Sequence, residues 1–81
     1  MLKLEEAKKL SYGEVLYCKY SRNADGSPER WRVNGKVKLW KRNPNRIQIP
    51  LKHGLYDYGY LTERDLNAFS LSEEEAVEAM K

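Results

Sequence analysis

Acid–base or nucleophilic chemistry in this chain would have to start from one imidazole, His53, and one thiol, Cys18. His53 stands beside Gly54 in what reads as a tight turn, and turn tolerance accounts for it, since histidine is enriched at positive φ. As a general base it would need a positioned partner, for which Asp57 and Cys18 are the candidates. Cys18 has no second cysteine to bridge to and no ligand cluster to join, so it reads as a half-buried small hydrophobe in a reducing cytoplasm. No Cys/His spacing fits zinc, and no glycine-rich strand-to-helix loop cradles a phosphate. The glutamates Glu73 to Glu75 are better explained by helix capping than by metal binding. The expectation is therefore a non-catalytic protein with no metal and no cofactor.

Binding chemistry is better represented. In the stretch from Arg30 to Arg42, RWRVNGKVKLWKR, the odd positions Trp31, Val33, Val37 and Leu39 are apolar. The even positions Arg32, Lys36, Lys38 and Arg42 are cationic, and Trp40 shares their parity. This is the period-2 pattern of a half-buried strand with one basic face. Cations interleaved with a tryptophan suit a surface that attracts phosphates and stacks on a base, with Arg30 and Arg46 extending it. Alternatively Trp40 covers the end of the fold or lies under the N-terminal helix, and the cations are solvated edge charges that discourage aggregation. A second candidate is aromatic. Tyr56, Tyr58 and Tyr60, with Trp31, could line a groove for an extended peptide or a quaternary ammonium group, or else form a core wall with their hydroxyls at solvent.

Charge is strongly segregated in a chain whose formal net charge is only +3. Residues 30–53 carry eight cations and no anion, while residues 54–81 carry seven anions against Arg64 and Lys81. A one-signed patch steers partners of opposite sign. It predicts nucleic acid or an acidic protein as the partner, unless the acidic tail folds over the basic strands and neutralises them. No apolar run approaches the length of a membrane span and no leader-like segment opens the chain, so a soluble cytoplasmic protein is expected.

The elements that must position these residues follow from local pattern. Eighty-one residues suggest a single domain near the lower limit for a self-sufficient core. Residues 2–10 read as a short helix through Leu4, Ala7 and Leu10. Residues 14–20 read as the first strand, and 21–29 as a solvated loop rich in turn residues, either a plain connector or a functional loop. An Asn34-Gly35 hairpin would put apolar and charged side chains on one face, so the segment 30–42 is expected to run straight on as one long strand bent at Gly35. Asn43-Pro44-Asn45 marks a turn. A two-residue turn at His53-Gly54 would pair Leu51 with Tyr56, Ile49 with Tyr58 and Ile47 with Tyr60 on one side of a hairpin, and would place Pro50 outward opposite Asp57. A capped helical turn over 62–66, a short strand over 68–71 and an acidic helix over 73–80 with Ser72 as its cap complete the order.

That order resembles small five-stranded barrels of the Src-homology-3 and Tudor type, with residues 52–66 resembling the third and fourth strands plus helical turn. The resemblance implies a mainly β barrel over 14–71 flanked by short helices, and says little about ligand. The stretch NADGSPERWRVNGKVKLWKRNPNRIQIPLKHGLYDYGYLTE, within residues 13–66, resembles a group of short bacteriophage and prophage proteins of no established activity. This resemblance implies a bacterial or phage cytoplasmic setting. The functional expectation is a binding module, foremost for weak, sequence-independent nucleic-acid binding through Arg32, Lys36, Lys38, Trp40 and Arg42. The alternatives are a protein-interaction module, such as a phage accessory or host-factor-binding protein, and a peptide binder using the aromatic groove.

Overall fold

The computed structural model describes residues 1–81, which form an open antiparallel sheet of six strands with two short helices. The strands are β1 (Val15–Arg22), β2 (Pro28–Val33), β3 (Lys38–Leu39), β4 (Ile47–His53), β5 (Asp57–Thr62) and β6 (Phe69–Ser70), and the helices are α1 (Leu4–Lys8) and α2 (Glu73–Ala79). Across the sheet the order is β5, β4, β2, β1, β6, with the two residues of β3 continuing along the edge of β4 that β2 also uses. No ladder joins β5 to β6. The mainly β class is as expected, and the strands form an open antiparallel sheet with two edges.

One face of the sheet is the core. Leu16 and Cys18 of β1, Val33 of β2, Ile47, Ile49 and Leu51 of β4, Leu61 of β5 and Phe69 of β6 bury their side chains together with Leu2, Ala7 and Leu10 around α1. The strict alternation of β4, with Ile47, Ile49 and Leu51 inward, is the strongest period-2 signal in the sequence and settles the face of its neighbours. α2 is capped by the Ser72 hydroxyl, which accepts from the Glu75 amide, and it packs on β1, β6 and β2. Three glutamates fill its first turn, where the helix dipole favours them. The molecule is a slab of 42 × 27 × 16 Å. Its accessible surface, 5820 Å², exceeds the about 5,000 Å² typical of a compact monomer of this size. A thin sheet covered mainly on one side leaves the other side wet.

Two expectations about this sheet need correction. The segment from Arg30 does avoid a hairpin and stays on one partner, but it is not one continuous strand. The ladder with β4 runs Arg32 to Lys52 and Val33 to Leu51, breaks, and resumes at Lys38 to Gln48 and Leu39 to Ile47. Pro50 explains the break. The Asn34 amide donates to the Pro50 carbonyl at 2.8 Å, so the missing amide proton of Pro50 faces the same neighbour. With no return bond available, the chain bulges at 34–37, and Gly35 crosses so near the Pro50 ring that an added Cβ would lie 2.7 Å from its Cγ.

The β4–β5 hairpin is the second correction. Its loop is Gly54-Leu55-Tyr56, with Gly54 at φ +67° and His53 paired with Asp57. The register is Ile49 with Leu61, Leu51 with Gly59, Lys52 with Tyr58 and Pro50 with Tyr60. Against the expected two-residue turn, the loop is one residue longer and the pairing is shifted by three residues, an odd number that turns every β5 side chain to the opposite face. Leu61 enters the core in place of the tyrosines, and Gly59 leaves room beside Trp31. At the end of β5, Thr62 and Asp65 close a side-chain-capped turn, but the helical turn itself is a 3-10 segment displaced to Leu66–Ala68.

Candidate functional site

The outer face of β2, β3, β4 and β5 gathers the basic and aromatic residues. Its centre is Lys52 of β4, directly opposite Arg32 on one side and Tyr58 on the other. Along β4 the same face carries Pro50, opposite Tyr60, and Gln48, opposite both Lys38 and Thr62. Extending the ladder by one residue beyond Leu39 and Ile47 places Trp40 beside Arg46, and the guanidinium carbon lies 4.2 Å from the indole centroid. The Lys38 ammonium is 4.9 Å from the same ring, and the Lys52 ammonium is 5.4 Å from the Tyr58 ring. Arg30 shares the parity of Arg32 on β2 and is exposed.

These cations are electrostatically free. The lysines and arginines of residues 30–53 make no ion pair: the terminal amine pairs with Glu75 and Lys81 with Glu78, and the one further acid–base contact sets the His53 ring against Glu29. The acidic helix α2 does not neutralise the basic face through any ion pair. The nearest carboxylate in the groove beside Trp40 belongs to Glu63, which accepts a hydrogen bond from the Ile47 amide at 3.1 Å.

A cleft at the His53 end of the sheet is lined by Arg30, Arg32 and Lys52 and also by Trp31 and His53, with Asn23 to Asp25 of the β1–β2 loop at its rim. That loop is more than a connector in placement, since it forms the rim. Asp25 accepts from the Ser27 hydroxyl and amide, and these bonds hold its carboxyl below the usual carboxylate range. Asn23 donates to the Ser27 hydroxyl and the Pro28 carbonyl, which fixes the other limb of the loop.

Of the five residues first assigned to the basic face, the structure brings Arg32, Lys38 and Trp40 onto one surface. Lys36 lies exposed in the 34–37 break and Arg42 in the bend after Trp40, both outside the strands. Lys52 was missed, although its even parity against Ile47, Ile49 and Leu51 was the signal that places it. Trp40 is half-buried just after β3, and it is not a bare stacking surface, because two cations attend its ring. The aromatic groove is not assembled as expected. Trp31 points to the core side, half-buried and packed against the core cluster, whereas Tyr58 and Tyr60 lie on the opposite face with 62 and 65% exposure, and Tyr56 sits exposed in the loop.

His53 has a structural role. It is the last residue of β4, its ring is tilted against Trp31 with centroids 5.1 Å apart, its Nδ1 lies 2.9 Å from the Arg30 carbonyl oxygen, and its Nε2 lies 3.2 Å from a Glu29 carboxylate oxygen. Both nitrogens are thus occupied in tying β4 to β2, and the ring lines the cleft beside Arg30 and Trp31. Cys18 is buried in the core. No group of three or more potential metal ligands is close enough to hold an ion, and no helix is long and apolar enough to cross a membrane.

Comparison with protein-family models, curated proteins and solved structures finds no match to this chain.

Proposed function

We propose that this protein is a non-catalytic nucleic-acid-binding module whose ligand lies across the outer face of β2 to β5. The observation that carries this reading is the convergence of five unpaired cations, Arg30, Arg32, Lys38, Arg46 and Lys52, with Trp40, Tyr58 and Tyr60 on one open sheet face. Cations supply sequence-independent attraction to phosphates, and exposed rings supply faces on which any base can stack. No rigid, buried donor and acceptor array is present to read base edges, so binding is weak and largely indifferent to sequence. The order of elements also supports a distant likeness to Src-homology-3 and Tudor barrels, and the Asn23–Glu63 stretch supports a phage or prophage protein of the bacterial cytoplasm. In that setting nucleic acid is the abundant polyanion.

The test is fluorescence anisotropy of labelled oligonucleotides against the protein from about 50 to 200 mM salt. Micromolar binding is expected, weakening steeply with salt and lost in a folded Arg32→Glu/Lys52→Glu variant. Absence of binding at the lowest salt overturns the reading. Retention of binding in the charge-reversed variant would move the site elsewhere.

A further inference from the structure

Resting on that reading of the outer face, we infer that the cognate ligand is single-stranded nucleic acid, held by Tyr58 and Tyr60 as its stacking platform and by Trp40 through the cations it orients.

Three observations favour a single strand over a duplex. The first is where bare aromatic surface lies. Tyr58 and Tyr60 stand on the binding face with nearly two thirds of their surface in water, and only Lys52, 5.4 Å from the Tyr58 ring, approaches either of them as a cation. A duplex has its base faces closed by pairing and stacking, so it offers such rings nothing but backbone. An unpaired strand offers a π-face at every nucleotide.

The second is spacing. Tyr58 and Tyr60 are two residues apart on one face of a strand, so their Cβ atoms are separated by about 6.6 Å along it. Stacked duplex bases rise about 3.4 Å per step. The ring spacing is about twice that, which fits a splayed strand that lays successive bases on separate rings and does not fit a stacked helix. From Arg46 to Lys52 the face runs about 20 Å along β4. That length suits the short end of single-strand site sizes, about four nucleotides.

The third is the division of labour among aromatics. The Trp40 indole already has Arg46 and Lys38 beside it, at 4.2 and 4.9 Å. It therefore fixes two phosphate-binding cations at one end of the face while the tyrosines remain available to bases at the other. Lys52 of β4 and Arg32 of β2 follow Tyr58 in line across the sheet, where the backbone of a strand lying on Tyr58 and Tyr60 would pass.

The experiment compares a labelled oligothymidylate of about a dozen nucleotides with a duplex of equal length, at one salt concentration, for the parent, Tyr58→Leu/Tyr60→Leu and Tyr58→Phe/Tyr60→Phe. The parent is expected to prefer the single strand. The leucine variant should lose single-strand affinity on the order of 50-fold, since each stacked base contributes a few kcal/mol at most, while its weak duplex binding persists. The phenylalanine variant should stay within about threefold of the parent, because the ring and not the hydroxyl carries the contact. Circular dichroism confirms that each variant is folded. Equal affinity of the parent for both probes, or leucine variants that bind oligothymidylate as the parent does, overturns the single-strand assignment and leaves charge-driven nucleic-acid binding standing. Failure of the parent to bind either probe overturns both.

Discussion

Trp40 and the tyrosines show how the identity of a residue and its environment divide its role. An indole with a guanidinium at 4.2 Å and an ammonium at 4.9 Å holds those cations in place at the surface. Such contacts contribute about 0.5–1 kcal/mol at exposed sites. Trp40→Leu is therefore expected to weaken oligonucleotide binding about two- to fivefold without destabilising the fold, and Trp40→Phe to weaken it less. Titration of the two variants beside the parent checks this, and a loss as large as that from removing Arg32 and Lys52 together would show that Trp40 itself stacks on the ligand. The sequence made Trp40 legible as an outward residue, because strand parity is a local property. It hid the Arg46 and Lys38 neighbours, because cross-strand partners depend on register. The role of His53 was equally hidden, since Glu29 and the Arg30 carbonyl reach it only once β2 lies beside β4.

The two corrected elements both trace to a strand whose partner was read in isolation. The apolar alternation of β4 was plain, and so were the capped helix α2, the short helix α1 and the first strand, all from local spacing and capping residues. The β4–β5 register was not plain, because two turn lengths give opposite faces to the same alternating segment. Tyrosines opposite isoleucines satisfied pairing preferences as well as the observed set does. What decides it is the core, which has room for Leu61 and for a Gly59 beside Trp31. Leu61→Ala should accordingly cost about 2–5 kcal/mol, whereas Tyr60→Ala should cost about 1 kcal/mol or less, as expected of an exposed position. Chemical denaturation of the two variants distinguishes the registers, and the reverse order of effects would restore the two-residue turn. The break between β2 and β3 has its own signature. Gly35→Ala places a methyl 2.7 Å from the rigid Pro50 ring, and overpacking of that kind costs about 1–3 kcal/mol. Most of that loss should be recovered in Gly35→Ala/Pro50→Ala. A neutral Gly35→Ala would mean that the bulge is not pinned by Pro50.

At the scale of the molecule, the order of strands is also an order of charge. The basic and aromatic residues occupy β2 to β5, while the acidic α2 packs on β1, β6 and β2 and makes no ion pair with the basic face. The open sheet sets β3 to β5 beyond the strands on which α2 packs, where a closed barrel would curl them toward each other. Reversing Glu73 and Glu74 to lysine should therefore change oligonucleotide affinity by less than about threefold, because neither carboxylate pairs with a cation of the basic face. The parent should lose affinity with salt at a log–log slope of about −3 to −4 on single strands, as about five neutralised phosphates require. Charge segregation was visible in the sequence; whether the acidic tail shields the cations was not, because that depends on where α2 docks. The measurement that bears most directly on the whole account is amide chemical-shift mapping of the labelled protein titrated with a short oligothymidylate. Perturbations confined to Arg30–Arg32, Lys38–Trp40, Arg46–Lys52 and Tyr58–Tyr60, with α1 and α2 unmoved, are the predicted result. Shifts centred on α2 or on the core face of the sheet, or none at low salt, would contradict it.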